Sequence, residues 1–231
     1  MEPVPSLRHT IADDLRTQIA TGRLKPGERQ PQLSARYKVS TATLRNALAL
    51  LQAEGLIEKI HGKGNFVRRL LRRLTYEGGV LTPTLPTVHV TVRTAQLHAR
   101  GTVSALLNVP SRTPLTEYLC LSHEGESPHS LARMYVPRDL ARAEVSCHWP
   151  KPAELRPRLA EIRERVSARL PTPEEASTLR ISSALAVLAI TRVSADTAGR
   201  VVEAALLVFP GDRPEALFTT HLTTEDRKAE G

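Results

Sequence analysis

Apolar residues recur at helical spacing through the first sixty positions. Leu7, Ile11, Leu15 and Ile19 stand four apart, with Asp13 and Asp14 opposite and Ser6 placed to cap, which predicts an amphipathic helix. Gly22 closes it, and Arg23–Leu24 is expected to form a short pairing strand before Pro26-Gly27. Pro31 suits the first turn of a short second helix, where its missing N–H costs nothing. Ser40 opens a longer helix, marked by Leu44, Ala47, Leu48 and Leu51, and Gly55 stops it. Leu56–Ile60 then reads as a strand and Asn65–Val67 as its return, around the basic turn His61-Gly62-Lys63-Gly64.

Residues 68–87 break the pattern. Gly78-Gly79, Pro83 and Pro86 predict a loop, so the chain divides into a first domain over 1–70, a linker over 71–87 and a second domain over 88–231. From Val88 the hydrophobic period falls to two. Val88, Val90 and Val92 alternate with polar residues, and Leu115–Ser122, Ser130–Val136, Leu185–Ser194 and Val201–Phe209 read as further strands. The last two form a hairpin through Asp196-Thr197-Ala198-Gly199, and His221–Thr223 is expected as a final short strand. Thr102–Leu107, Glu154–Arg169 and Pro173–Leu179 read as helices, the middle one from its alternating charges. Meandering strands with inserted helices imply an α+β sheet domain.

Charge sharpens the division. Residues 1–75 hold 14 Lys and Arg against 6 Asp and Glu, whereas 76–231 hold 18 of each, so the whole +8 lies in the first third. A domain that neutralises phosphates requires such an asymmetry; solubility does not. No run of about 18 apolar residues predicts a membrane span, and MEPVPSLRHT lacks the features of a signal peptide, so a cytoplasmic location is expected. Cys120 and Cys147 suggest neither a disulfide framework nor a zinc site, and the adjacent His148 does not complete a metal set; no metal or cofactor is expected.

The basic domain has the layout of a winged helix-turn-helix. Ser40, Thr41, Thr43 and Arg45 on the first turns of the longer helix offer hydroxyls and a guanidinium to base edges and phosphates, and the hairpin at 61–64 can reach the backbone or minor groove. Arg68, Arg69, Arg72 and Arg73 either extend this footprint or form a solvated hinge.

Three segments resemble the DNA-binding domain of the GntR family of bacterial transcription regulators. They are Ile19 to Arg29, which is similar to Ile-x-x-Gly-x-Leu-x-Pro-Gly-Glu-Arg, Val39 to Leu48, and Glu54-Gly55-Leu56 with the wing His61 to Val67. Thr41 stands where the family carries Arg, and the stretch before Val39 is about three residues short. Arg29, Arg36 and Lys38 are candidates to replace the contacts so lost, and His61, Gly62, Lys63 and Gly64 carry over as the wing's contacts.

The second half resembles the UTRA domain of the HutC subfamily, which implies a chorismate-lyase-like antiparallel sheet that binds an effector and dimerises. The resemblance rests on Pro128 through Tyr135-Val136-Pro137, and on Gly199-Arg200-Val201-Val202-Glu203 leading to Phe209-Pro210-Gly211-Asp212-Arg213. The relatives' sugar-phosphate anchors correspond to Tyr118, Cys120, Ala132 and Pro214, and only Glu203 of that set survives. Tyr118, Arg133 and Glu203 are therefore the candidate effector residues, for a largely uncharged or apolar molecule rather than a phosphosugar. For Arg133 a pairing with a carboxylate is the favoured alternative, and His123 and His129 are expected at the surface.

The resemblance implies a homodimeric regulator, in this family most often a repressor, that binds an inverted-repeat operator in double-stranded DNA and is released by a small molecule. Two alternatives stand beside it: a repressor whose second domain only dimerises, and an enzyme of the chorismate-lyase type, for which no Ser-His-Asp, metal or paired-carboxylate constellation is legible.

Overall fold

A computed structural model describes residues 6–26, 36–60, 64–68, 74–77, 80–81, 88–125, 127–141 and 159–219. Helix α1 (Leu7–Ala20) and helix α2 (Thr41–Ala53) pack into one apolar cluster around Ile11, Leu15, Ala47, Leu48, Leu51 and Ile57. Leu7 lies outside this core, exposed one turn before the first buried contact. Arg23 and Leu24 sit in a turn, not a strand. Strand β1 (Ile57–Ile60) pairs antiparallel with β2 (Gly64–Val67), giving the expected hairpin. Arg29, the short helix expected at Pro31, and the wing tip His61-Gly62-Lys63 lie outside the described residues.

The stretch read as a linker carries two short strands. β3 (Leu74–Glu77) pairs antiparallel with β4 (Val80–Leu81) and parallel with β11 (Pro214–Ala216) from the far end of the chain. Tyr76 on β3 is buried in the core of the second domain. Its partner strand lies some 140 positions away, so periodicity within the stretch could not reveal it.

Six strands form the main sheet: β5 (Val88–His98), β6 (Pro114–Glu124), β7 (Ser127–Pro137), β8 (Leu159–Arg169), β9 (Val187–Asp196) and β10 (Val201–Pro210). They lie in the order β5-β6-β7-β10-β9-β8, and every neighbour is antiparallel. Residues 159–169, expected to be helical, form the edge strand β8. Charged residues suit an exposed edge, and ten residues paired with β9 outweigh their helical preference.

Helix α3 (Gly101–Leu107) and helix α4 (Pro173–Leu179) cover one face of this sheet. The first buries Leu107 against Leu115, Tyr135 and Ala204, the second Leu179 against Leu131, Val187 and Val208. The opposite face carries Tyr118, Cys120, Met134, Ile190, Leu207 and Phe209 with Tyr76 packed against it. Cys120 is disulfide-bonded, although the two cysteines suggested no disulfide framework; Cys147 lies outside the described residues. His129 is fully buried rather than exposed. His123 is half-buried, and burial pulls its pKa below the usual imidazole value. Among the described residues no helix is long and apolar enough to cross a membrane, and no cluster is suited to hold a metal.

Candidate nucleic-acid interface and effector pocket

Ser40 caps α2 through its side chain, accepting from the Thr43 N–H at 3.1 Å, and its Oγ lies 2.9 Å from Thr43 Oγ1. These two hydroxyls therefore hold each other as well as the helix start. Burial of Leu44, Ala47, Leu48 and Leu51 turns Thr41, Arg45, Asn46 and Ala49 to solvent as one stripe. Thr41 and Arg45 stand one turn apart on that stripe, a spacing suited to neighbouring bases and phosphates. Asn46, not among the residues expected from the sequence, shares it, and an amide beside a guanidinium on one exposed helix face is a pair of groups able to read base edges.

The turn ahead of α2 is held in place. Lys38 takes a left-handed conformation with φ of 51°, and its side chain is exposed. The Tyr37 hydroxyl donates to Asp14 Oδ2 at 2.6 Å, while Gln18 Nε2 donates to the same oxygen at 2.8 Å. Burial, reinforced by the Asp14 bond, pushes the Tyr37 pKa up to about 12. Arg36 donates to Gln18 Oε1 at 3.0 Å and stacks over the Tyr37 ring at 5.6 Å. It thus braces the first helix against the turn, a structural task that the sequence did not show. On the other side of α2, Gln52 Nε2 donates to Asn65 Oδ1 of the wing at 2.9 Å, tying helix to hairpin. Gly64 opens β2 with φ of 116°, a backbone that few residues but glycine adopt.

Arg68 does not extend this surface. It is 5% exposed, and its Nη1 donates to Asp212 Oδ2 at 2.6 Å. Burial lowers its pKa.

The three candidate effector residues separate onto two faces. Register across the sheet runs Thr94, Tyr118, Met134, Ala205, Arg192, Glu164 in one row, and Glu203 lies two residues from Ala205 on the same side. Arg133 stands in the next row and points the other way, because successive strand residues alternate. There it pairs with Glu174 and, at 3.7 Å, with Glu117. It borders a cavity of about 330 Å³ under α4, beside Tyr135, Arg169, Glu174 and Glu175. The carboxylate-paired reading of Arg133 therefore describes its contacts.

The Tyr118 face is less apolar than the sequence suggested. Arg192, 1% exposed, donates from Nε to Glu164 Oε1 at 2.7 Å and from Nη2 to the Tyr76 hydroxyl at 2.9 Å. The Tyr76 hydroxyl in turn donates to Glu164. Burial raises the Glu203 pKa, and the positive charge of Arg192 acts against that rise. Alternating charges on residues 159–169 hid this group, since a helical reading puts Glu164 on no sheet face at all.

Comparison with known proteins agrees with this geometry. Residues 7–67 match the family described as bacterial regulatory proteins, gntR family, and residues 87–215 match the UTRA domain. The uncharacterized HTH-type transcriptional regulator RB1450 of Rhizobium meliloti (strain 1021) is 28% identical, over 93% of this chain and 95% of its own length. The HTH-type transcriptional repressor NagR of Bacillus subtilis (strain 168) is 27% identical, over 91% and 93% respectively. Among solved structures, PhnF from Mycobacterium smegmatis superposes with a TM-score of 0.54 at 19% identity, covering 92% of this chain and all of that one. The C-terminal domain of the histidine utilization repressor from Pseudomonas syringae pv. tomato str. DC3000 gives 0.51 at 20% identity, covering 59% and 99%. Those two likenesses concern the fold. The chain belongs to the GntR family of DNA-binding transcription regulators, in the branch that joins the winged helix-turn-helix to a UTRA domain.

Proposed function

We propose that the protein acts in the cytoplasm as a homodimeric repressor on an inverted-repeat operator, and that a small molecule bound by its UTRA domain releases it. The observation that carries the reading is the solvent-facing stripe Thr41, Arg45 and Asn46 on a side-chain-capped helix, within the part of the chain that holds all the net positive charge. One such helix per subunit in a two-fold dimer calls for two half-sites about one helical turn apart. Lys38, Ser40, Thr43 and the wing residues His61 to Gly64 add contacts to phosphate and groove. The repressors named among the relatives favour repression over activation.

The effector site is assigned to the Tyr118 and Glu203 face. Arg192 on that face is already matched by Glu164, which favours an uncharged ligand. No enzymatic role is proposed. Sequencing the genomic fragments that the full-length protein retains, followed by footprinting, tests the operator. A protected two-fold repeat is expected, and protection without symmetry overturns the dimer reading.

A further inference from the structure

Arg68 follows directly on β2, the outer strand of the wing, yet its side chain turns inward to the second domain. Its backbone N–H donates to the Leu56 carbonyl at 2.9 Å, closing the base of the β1–β2 hairpin. Its Nη1 reaches Asp212 at 2.6 Å and, more distantly, the Gly55 carbonyl at 3.5 Å. Three parts of the molecule meet at this guanidinium: the end of the recognition helix, the base of the wing, and the turn between β10 and β11.

That turn is fixed to the main sheet. The Gly211 N–H donates to the Ala186 carbonyl at 2.8 Å, and a Cβ at Gly211 would lie 2.7 Å from the same oxygen. Arg213, also buried, donates to the Pro128 carbonyl on β7. Gly55 leaves no slack on the other side: with φ of 74°, an added Cβ would stand 3.0 Å from Asp212 Oδ2 and 3.1 Å from Arg68 Nη1. Just beyond Arg68, β3 pairs in parallel with β11, which begins two residues after Asp212.

As a stabiliser the pair is poorly built. Among the described residues Arg68 Nε and Nη2 and Asp212 Oδ1 find no hydrogen-bond partner, Arg213 Nε standing 3.8 Å from that Oδ1, and desolvating the charges offsets most of their attraction. What an ion pair supplies that apolar packing does not is one defined geometry.

We propose that Arg68 is a positioning residue for DNA binding: paired with Asp212, it holds the wing and the recognition helix at a fixed angle to the UTRA sheet. Operator affinity then depends on an ion pair that never touches DNA. The inference rests on the operator-binding reading above and adds a coupling between the domains.

The test uses full-length protein and two duplexes, the repeat recovered from retained genomic fragments and an unrelated sequence of equal length. Arg68→Ala and Asp212→Asn are each expected to weaken operator binding about tenfold, the size typical of coupling residues. The double variant is expected to lose no more than either single one, and the slope of log affinity against log salt to stay at the wild-type value. Asp212→Asn is decisive, since removing an anion near a DNA-binding surface strengthens binding by charge alone. Unchanged or improved binding in Asp212→Asn overturns the proposal, as does a salt slope smaller by about one in Arg68→Ala, the mark of a phosphate contact. If thermal melting shows that Arg68→Ala is unfolded, Arg68→Lys takes its place with the same expectations, because lysine keeps the charge but loses the guanidinium geometry. Arg45→Ala serves as control. Failure of wild-type binding, or an inert Arg45→Ala, defeats the operator reading itself, whereas an unaffected Asp212→Asn beside a working control defeats only the latch.

Discussion

Arg45 and Arg192 show how differently the two halves of this chain use one side chain. Arg45 stands exposed on a helix whose buried side is purely apolar, in a domain with more cations than it can pair internally. Arg192 lies inside the second domain, bonded to Glu164 and Tyr76, in a stretch (residues 76–231) where cations and anions are equal in number. The first guanidinium faces solvent; the second is answered within the molecule. Net charge per domain, more than charge density, separates a surface that waits for an anion from a framework that needs none.

The comparison breaks most visibly at the buried end. Arg192→Ala strands Glu164 in a low-dielectric site, and loss of one partner of a buried pair costs about 3–5 kcal/mol. Urea denaturation checks this; a loss under about 1 kcal/mol would mean that solvent reaches the pair. The mirror test at the exposed end is Asn46→Ala. Operator affinity is expected to fall by about 1–3 kcal/mol, while folding stability stays within about 0.5 kcal/mol, because the side chain has only solvent to lose. Electrophoretic mobility shift and thermal melting read the two quantities separately.

Ser40→Ala sits between these extremes. Its hydroxyl caps α2 in the free protein, so about 1 kcal/mol of stability should vanish whether or not DNA is present. A loss seen only in DNA affinity would make Ser40 a contact rather than a cap. The smallest effect is expected at Glu203. Its folded-state pKa lies above that of the unfolded chain, so the stability linked to its protonation is complete below about pH 4 and fades as pH rises through the folded value. Glu203→Gln should therefore melt above wild type at pH 8 and match it near pH 4. Melting curves at the two pH values decide the sign.

Legibility in the sequence followed the range of the interactions. The DNA-binding unit is local: cap, apolar spacing and stop for α2 all fall within sixteen residues, from Ser40 to Gly55, and each was readable where it stood. Tyr76, Glu164 and Arg192 come from three distant segments, so only strand order and register bring them together. Residues 159–169 misled because their charges fit the outside of a helix as well as the edge of a sheet. Arg133 was open between a ligand and a carboxylate, since one residue of register decides which face of a strand it joins, and the sheet gives it Glu174 and Glu117. Arg68 looked like part of a basic run, and only the return of the chain at Asp212 gives it an inward partner.

The central claim is that the exposed stripe of α2 reads operator sequence. The most direct measurement is the affinity of Arg45→Ala, relative to wild type, for the retained repeat and for an unrelated duplex at one salt concentration. Direct base readout predicts a loss of about 1–3 kcal/mol on the repeat and a much smaller loss on the unrelated duplex. Equal losses on both duplexes, or none on either, would contradict it.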